Sequence, residues 1–424
     1  MNITAEPPSF YSRNDSSAFG DIQSRPSDPI FGLWSAYQQD ERRQKVNLGV
    51  GVYLDDTGQI PLLPSVARIE AELASEKRPK SYLPMEGSSK YRELVSQLVF
   101  GSRHQALCDD RIATVQTVGG SGAVRVGAEF LQSHFPKATV YLSEPTWDNH
   151  RAFFRAAGMQ TGAYPYYDPA SGRLRFEAMM QAFSQMPLQS VVVMQPCCHN
   201  PTGVDLTTEQ WNTLAPVLLK KELIVFMDMA YQGFGQSLGD DTYAIKLLAD
   251  TGVSMLVSTS FSKNLAIYGE RCGTLSVVCE SAEVAERVLS QLKHVIRGNY
   301  SSPPVRGSLI VEQILSHPPC HAEWASEVDM MRGRVQDMRR GLYDRLLSLR
   351  PHLCAELLKQ RGMFSLLRLS EQQVEVLREE FGIYILRSGR CCLAALTPDS
   401  LPFVADALAS VTESQPYFRG EVHA

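Results

Sequence analysis

The chain has 424 residues, of which 44% are hydrophobic and 21% are charged, a balance typical of globular proteins with more than one domain. Its formal net charge of −5 gives no electrostatic reason to expect a nucleic acid or an anionic membrane as a partner. No apolar run reaches the ~18 residues of a membrane span and the first residues lack the apolar core of a secretory signal, so we expect a cytoplasmic location.

The chain begins with a segment of different composition from the rest. Residues 1–25 are rich in Ser, Pro, Asn and Asp and have no apolar period, which predicts a flexible arm. From about residue 110 to 280, short apolar runs alternate with helical patterns, which predicts a mainly parallel sheet with helices on both faces. The predicted strands are TVYLS at 139–143, SVVVMQ at 190–195, LIVFMDM at 223–229, SMLVSTS at 254–260 and TLSVVC at 274–279.

Helix ends are also predictable from the sequence. Thr207 and Gln210 are spaced as a capping box at the start of one helix. Beyond about residue 320, a long helical stretch precedes the strand-like run MFSLLRL. A helix capped by Ser370 and Gln373 and stopped at Gly382 follows, and then the strand-like run GIYILRS. This last part of the chain is therefore predicted to form a second, α+β domain.

One lysine stands where a predicted strand ends, in the segment SFSKN at 260–264. Desolvation in a pocket lowers the pKa of a lysine such as Lys263 from about 10.4, so that its amine can attack an aldehyde. The neighbouring hydroxyls and Arg271, eight residues on, suit a dianionic phosphate. Such a segment alone is more often solvated surface, so the hypothesis depends on the other strand ends.

A second strand ends in Asp228-Met229-Ala230-Tyr231, about 35 residues upstream of the lysine. A pyridoxal ring accepts electrons well only while its ring nitrogen stays protonated, and a buried carboxylate such as Asp228 maintains that proton. Tyr231 can donate its hydroxyl to the phenolate oxygen of such a ring. Taken singly, Asp228 is more simply a helix N-cap and Tyr231 a core aromatic.

Two more strand ends carry polar or glycine-rich turns. The run CCHNPTG at 197–203 contains Asn200, which can hydrogen-bond the same phenolate oxygen. Its Cys-Cys-His spacing does not suit zinc, and none of the nine cysteines forms a C-x-x-C pair, so we expect no metal and free thiols. The run GGSG at 119–122 opens a helix whose free N–H groups can bind phosphate, although a glycine turn alone is more often structural.

Together these segments resemble the class I aminotransferases of pyridoxal-phosphate fold type I, the aspartate and aromatic aminotransferase family, and more closely its aromatic (tyrosine) branch. The similarity runs from about Asp28 to the C-terminus. The motifs that carry it are NLGVGVY, SYLPMEG, GGSGAVRVGAEFL, EPTWDNH, CCHNPTG, DMAYQGFG, SFSKN with YGER, RGNYSSPP, RGMFS and SGR. The resemblance implies an α/β fold with a large domain at 60–325, whose mainly parallel seven-stranded sheet is sandwiched by helices. Residues 26–59 and 326–424 would form the smaller α+β domain.

The resemblance also implies the cofactor, pyridoxal 5′-phosphate, and its partners. Lys263 corresponds to the lysine that binds it as a Schiff base, Asp228 to the partner of the ring nitrogen, and Tyr231 to a partner of the phenolate oxygen. The other residues implied at the cofactor are Asn200 at the phenolate oxygen, Trp147 on the ring face, His150 beside the aspartate, and Gly120, Ser121, Ser260 and Arg271 at the phosphate. Tyr82 would reach the phosphate from the neighbouring subunit of a homodimer.

The substrate site follows from the same resemblance. Arg390 corresponds to the arginine that binds the α-carboxylate, and Arg297 to the one that meets a distal carboxylate from the other subunit. The remaining substrate-binding residues implied are Gly51, Trp147 and Asn200. The residues that favour the aromatic branch are Leu54, Ile60, Ser121, Ser302 and Cys392. The implied reaction is ping-pong transamination from tyrosine, phenylalanine, aspartate or glutamate to a 2-oxo acid such as 2-oxoglutarate.

Three other functions are less well supported by the sequence. Another pyridoxal-phosphate reaction, a β-lyase or a decarboxylase, would fit the same scaffold, but the pair Arg390 and Arg297 favours transamination. A non-catalytic regulator needs a DNA-binding domain, and the residues before Asp28 are too few for one. A nicotinamide oxidoreductase needs a G-x-G-x-x-G after a strand, which we do not find. The departures from the family pattern are Ser81 for an apolar residue, Gln195 for histidine and Ala395 for glycine, and the preferred amino acid stays open.

Overall fold

The computed structural model describes residues 19–24, 28–77 and 79–412. The predicted arm, residues 1–25, lies outside the described residues except for 19–24, where Phe19 and Ile22 are exposed. The helices are α1 Pro29–Gln39, α2 Pro64–Ser75, α3 Ser89–Phe100, α4 Gln105–Cys108, α5 Gly119–His134, α6 Asp148–Ala156, α7 Phe176–Gln185, α8 Thr208–Lys220, α9 Tyr243–Thr251, α10 Ala282–Asn299, α11 Arg306–Ser316, α12 Pro318–Leu349, α13 Pro351–Cys354, α14 Glu371–Glu379 and α15 Ser400–Val411.

The described part of the chain also contains thirteen strands. They are β1 Val46–Asn47, β2 Ile112–Val118, β3 Thr139–Glu144, β4 Gln160–Pro165, β5 Tyr167–Asp168, β6 Arg173–Leu174, β7 Val191–Met194, β8 Ile224–Met229, β9 Met255–Ser260, β10 Cys272–Val278, β11 Phe364–Leu366, β12 Ile383–Tyr384 and β13 Arg390–Cys392. Seven of them form one sheet in the order β2-β10-β9-β8-β7-β3-β4. Strand β10 runs opposite to the other six strands of this sheet, and every pairing without β10 is parallel, so the predicted mainly parallel arrangement is confirmed.

The sheet separates two apolar cores. Successive side chains of a strand point to opposite faces, so Val192 and Val225 pack into one core while Val193 and Phe226 pack into the other. Every residue of the central strands β7, β8 and β9 is buried, so their apolar residues do not alternate with exposed polar ones. The polar residues of these strands, Asp228 of β8 and Ser258, Thr259 and Ser260 of β9, are buried near the carboxyl ends.

All five strands predicted from apolar runs are present, whereas β2 and β4 were not predicted. Strand β4 lies at the edge of the sheet, and its sequence QTGAYP contains both Gly162 and Pro165, which are uncommon in strands. Strand β2 buries polar side chains, Thr114 and Gln116, in its centre. Neither strand therefore has an apolar run long enough to be recognised.

A second group of short strands joins the two ends of the described chain. Val46 of β1 pairs in parallel with Ile383 of β12, and β11 pairs antiparallel with β13. Both predicted capping boxes form, at the start of α8 and at the start of α14. The observed strands β11 and β12 are shorter than the strands predicted at 363–369 and 382–388. The proposed division at residues 325 and 326 falls within helix α12, and it stays a prediction.

The parallel strands bring distant parts of the sequence to one edge of the sheet. The carboxyl ends of β7, β8 and β9 lie side by side there, because the three strands are neighbours and run in the same direction. Helix α5 begins directly after β2 at the same edge. No helix within the described ranges is long and apolar enough to cross a membrane.

Candidate active site

A cavity at this edge of the sheet collects most of the predicted cofactor residues. It is lined by the predicted residues Gly120, Ser121, Trp147, Asn200, Asp228, Tyr231, Ser260, Lys263 and Arg271, and in addition by Gln195, Ala230 and Ser262. These residues come from the ends of four strands and the start of α5. The cavity therefore depends on the order of the strands in the sheet.

Asp228, near the end of β8, is buried and hydrogen-bonded through both carboxylate oxygens. Its Oδ2 lies 2.9 Å from Nε2 of His150, and its Oδ1 accepts a hydrogen bond of 2.6 Å from Oγ of Ser258. Burial favours the neutral acid, but the hydrogen bond and charge of His150, the Ser258 hydroxyl and the charge of Lys263 together lower the pKa of Asp228. Asp228 is therefore a carboxylate at neutral pH.

Lys263 follows β9 and extends into the cavity. Its Nζ lies 5.1 Å from the centre of the Tyr231 ring. Burial lowers the pKa of the Lys263 amine to about 8, with a smaller opposing effect from the charge of Asp228. A minor but significant fraction of this amine is therefore neutral near physiological pH, and the neutral form is the one that acts as a nucleophile or a base.

Asn200 lies between the tyrosine and the arginine of the site. Its Nδ2 donates a hydrogen bond of 3.4 Å to the hydroxyl of Tyr231, and its Oδ1 accepts one of 3.2 Å from Nη1 of Arg390. Burial raises the pKa of the Tyr231 phenol, so the hydroxyl keeps its proton at neutral pH. The Asn200 amide thus links the predicted cofactor site to the predicted substrate site.

Arg390, the first residue of β13, is buried, and not all of its N–H donors form hydrogen bonds with the described residues. Its Nη2 donates to the carbonyl of Gly49 at 2.7 Å, and its guanidinium lies 4.5 Å from the centre of the Phe364 ring. Its Nε has no hydrogen-bond partner among the described residues. A buried guanidinium with a free donor is suited to binding a carboxylate.

The part of the cavity beside Arg271 has the features of an anion site. A Cβ added at Gly119 would lie 2.7 Å from Nη2 of Arg271, and one at Gly120 would lie 3.2 Å from Cβ of Ser260. The glycines therefore allow the start of α5 to approach the arginine closely. Ser262 accepts a hydrogen bond of 3.3 Å from Nη1 of Arg271.

Four predicted residues do not line this cavity in the single chain. Arg390 lines an adjoining cavity, which shares Trp147 and Asn200 with it, and the other three line neither of the two. Tyr82 is 95% exposed, and Arg297 is exposed on α10, where its Nη1 contacts the hydroxyl of Ser301. Gly51 packs beside Phe364, whose Cζ would lie 2.8 Å from an added Cβ. Tyr82 and Arg297 were expected to act from the neighbouring subunit, so their position outside the cavity of their own chain does not contradict that expectation.

Other site residues were not predicted. Ser258 lies two residues before Ser260 on β9, and this spacing, which places both on one face of the strand, would have identified it. Ser262 belongs to the predicted segment SFSKN, but no role of its own was predicted for it. Thr146, whose Oγ1 lies 2.8 Å from Nδ1 of His150, has no sequence feature that predicts its contact.

The cysteines near the cavity form the one group of potential metal ligands found within the described ranges. Ligand atoms of Cys197, Cys198 and Asp241 lie within 4.8 Å of one another. The Asp241 carboxylate already accepts three backbone N–H groups from residues 233–236, and burial raises the pKa of the Cys198 thiol to about 11. His199 of the same run instead lies within hydrogen-bonding distance of two hydroxyls. The expectation of no metal stays a prediction.

The sequence profile of the family described as aminotransferase class I and II matches residues 43–408. The chain belongs to this family. The tyrosine aminotransferase of Klebsiella pneumoniae is 47% identical to this aminotransferase over 395 residues, which cover 93% of this chain and all of that protein. The aspartate aminotransferase of Pseudomonas aeruginosa is 43% identical over 396 residues, which cover 93% and 100% of the two chains.

Solved structures agree with this assignment. An aromatic-amino-acid aminotransferase from Burkholderia pseudomallei, covalently bound to pyridoxal phosphate, superimposes with a TM-score of 0.91 at 44% identity, covering 93% of this aminotransferase and 100% of that chain. The predicted family, the predicted fold class and the predicted enzyme class are therefore confirmed.

Proposed function

We propose that this aminotransferase uses pyridoxal 5′-phosphate to move amino groups from aromatic or dicarboxylic L-amino acids to a 2-oxo acid, by a ping-pong mechanism. The observation that carries the proposal is that Lys263 and Asp228 line one cavity, although they lie on different strands. An amine with a pKa of about 8 and a carboxylate that is ionised at neutral pH, both in one pocket, provide the two groups that this cofactor needs.

The residues of the cavity fit the chemical groups of the cofactor. We assign the carboxylate of Asp228 to the pyridine nitrogen and Tyr231 with Asn200 to the phenolate oxygen. We assign the phosphate to the start of α5 and to Arg271, because the glycines there leave room for an anion beside a guanidinium. The other assigned residues are Ser121, Ser260 and Trp147.

When bound, pyridoxal phosphate supplies an electrophilic carbon and a ring that accepts electrons from the substrate α-carbon. The chain's own contribution is to hold and move protons. Lys263 Nζ would hold the cofactor covalently, and when free its neutral amine would take the proton from the substrate α-carbon. Asp228 keeps its charge through the hydrogen bonds from His150 and Ser258, and so holds the proton on the facing ring nitrogen.

The proposed substrates follow from two arginines. The Nε of Arg390, which has no partner among the described residues, and the Nη groups of the same guanidinium suit the α-carboxylate of a substrate. A planar guanidinium binds a carboxylate through two hydrogen bonds. Arg297 is proposed to meet a distal carboxylate from the other subunit. Tyrosine and aspartate aminotransferases among the relatives support both an aromatic and a dicarboxylic substrate.

The proposed active unit is a cytoplasmic homodimer. Tyr82 is 95% exposed although it is a large aromatic side chain, and it does not line the cavity of its own chain. We propose that it reaches the phosphate site of a second copy, as Arg297 reaches the substrate. The division into a large domain at 60–325 and a small domain from 26–59 with 326–424 belongs to the same proposal.

The experiment is a visible absorption spectrum of the purified enzyme, followed by titration with tyrosine, phenylalanine, aspartate and glutamate. Loss of the band of the covalently bound cofactor ranks the donors, and product analysis distinguishes oxo acids from the products of a β-lyase or a decarboxylase. An enzyme that bound the cofactor but released no oxo acid from any of the four amino acids would contradict the proposal.

A further inference from the structure

Gln195, the first residue after β7, is buried and lines the cofactor cavity. Its Oε1 accepts a hydrogen bond of 2.8 Å from the backbone N–H of Asn200, and its Nε2 donates one of 3.1 Å to the backbone carbonyl of the same residue. Two bonds to one residue fix both its position and its orientation, whereas a single bond would leave it free to pivot. The side chain therefore holds the Asn200 backbone from the cavity side.

The loop that Gln195 closes needs such support. Cys198 has a φ of 54°, a left-handed conformation that is uncommon for a residue with a side chain. The carboxylate of Asp205 accepts the backbone N–H groups of Cys198 and His199 at 2.7 and 2.8 Å, which holds the middle of the loop. Gln195 holds its end, where Asn200 turns into the site.

The orientation of Asn200 matters because its side-chain amide contacts two functional groups. It donates to the hydroxyl of Tyr231 and accepts from the guanidinium of Arg390. A rotation of the Asn200 backbone would move the amide away from one or both. A substitution at Gln195 therefore affects both the contact of Asn200 with Tyr231, on the cofactor side, and its contact with Arg390, on the substrate side.

The chemistry of the side chain fits this task. A primary amide presents one donor and one acceptor side by side, which matches a backbone N–H and C=O. An ionised carboxylate offers only acceptors. A neutral imidazole, which the family resemblance implies at this place, has its donor and acceptor at separate ring positions.

We propose that Gln195 is a positioning residue, which holds the side-chain amide of Asn200 between the hydroxyl of Tyr231 and the guanidinium of Arg390. The inference rests on the transaminase activity and on the site proposed above. Gln195 itself acts through Asn200 and is not assigned a contact with the substrate.

The test compares Gln195→Ala and Gln195→Glu with the wild-type holoenzyme. The first readout is the Kd of succinate, a non-reacting dicarboxylate, measured from the change in cofactor absorption. The second is the pH titration of that absorption without succinate. For Gln195→Ala we expect succinate to bind on the order of tenfold more weakly, and the midpoint of the absorption titration to move in the same variant.

The matched control is Gln116→Ala. Gln116 is also buried, and its Nε2 donates to the carbonyl of Pro304 at 2.7 Å, but it does not line the cavity. We expect this variant to lower the Tm and to leave both readouts unchanged. Equal succinate affinity and equal titration midpoints in Gln195→Ala and the wild type would overturn the proposal, whatever the change in Tm.

Gln195→Glu keeps the shape of the side chain and covers the case in which Gln195→Ala does not fold. A protonated glutamic acid has one donor and one acceptor, like the amide, so its succinate affinity relative to wild type should recover as the pH is lowered. The titratable groups that share the cavity are Asp228, Tyr231, Lys263 and Arg271. Because the variant and the wild type both contain them, the pH dependence of the ratio of the two succinate Kd values reports the titration of position 195. A ratio that stayed constant with pH would contradict the proposal.

Failure of the proposed function can be told apart from failure of this inference. A wild-type enzyme that binds cofactor and succinate but produces no oxo acid would refute the transaminase proposal alone. A wild-type enzyme that transaminates, with a Gln195→Ala variant that binds succinate equally well, would refute the positioning role alone.

Discussion

Nε2 of His150 lies 2.9 Å from Oδ2 of Asp228, and both side chains are buried. Nδ1 of the same imidazole lies 2.8 Å from the hydroxyl of Thr146, so the ring is held at both nitrogens. Because the carboxylate can only accept, Nε2 of the imidazole carries a proton. His150 therefore opposes the effect of burial on Asp228, which by itself would raise the pKa of this acid.

His150→Ala should weaken the enzyme through Asp228. Loss of a hydrogen bond to a charged group costs about 1.5–3 kcal/mol, so kcat should fall roughly 10–100-fold. The pKa of Asp228 should rise, and the acid limb of the pH profile of kcat should move to higher pH. The measurement is kcat from acid to neutral pH, with the exposed His134→Ala as control. An unchanged acid limb would show that His150 does not keep Asp228 ionised.

The pKa of Lys263 predicts how the enzyme takes up its cofactor. Only the neutral amine attacks an aldehyde, and burial lowers its pKa to about 8, so the rate at which the apoenzyme binds pyridoxal phosphate should rise up to about pH 8 and then level off. Because the unfolded chain keeps the ordinary pKa of 10.5, it binds more protons than the folded chain between about pH 8 and pH 10.5. The contribution of Lys263 to the free energy of unfolding should therefore increase with pH there.

Replacement of the lysine is the direct control for this prediction. Lys263→Ala should lose the covalent cofactor band and all turnover, whereas Lys137→Ala, at an exposed position, should behave as the wild type. Stopped-flow absorption of apoenzyme mixed with pyridoxal phosphate gives the rates. A rate that continued to rise to pH 10 would mean that the amine is not desolvated.

Arg390→Lys should separate charge from geometry at the substrate site. The variant keeps the positive charge but loses the guanidinium fork, so the KM values of amino acid and oxo acid should both rise roughly 10–100-fold. Arg387→Lys is the control, because Arg387 is exposed on the same turn and pairs with Glu371. Steady-state kinetics with aspartate and tyrosine provide the test. Unchanged KM values for both would remove Arg390 from carboxylate binding.

A mixture of two inactive variants should test the shared site. One variant carries Lys263→Ala, and the other carries Tyr82→Ala with Arg297→Ala. In a randomly formed hybrid dimer, one site receives all the substitutions and the other none, so about a quarter of all sites in an equal mixture should be intact. The measurement is activity after joint refolding, compared with each variant refolded alone. A mixture no more active than the mean of its components would indicate that each chain completes its own site.

The sequence by itself predicted most strands of the large sheet and most of the residues that line the cavity. Apolar runs identified β7, β8 and β9, because strands buried on both faces carry continuous apolar runs instead of an alternating pattern. Capping residues fixed the starts of α8 and α14, since a capping box is a contact between residues three apart. Motif resemblance then assigned Lys263 and Asp228.

The tertiary structure alone decided which of these residues meet. The bond between Arg390 and Asn200 joins residues 190 positions apart, and the bonds of Gln195 depend on a turn that returns the chain to its own strand end. Ser258 reaches Asp228 only because β8 and β9 are neighbours. Such contacts depend on strand order and loop conformation, which arise from packing across the whole sheet and leave no pattern in a local stretch of sequence.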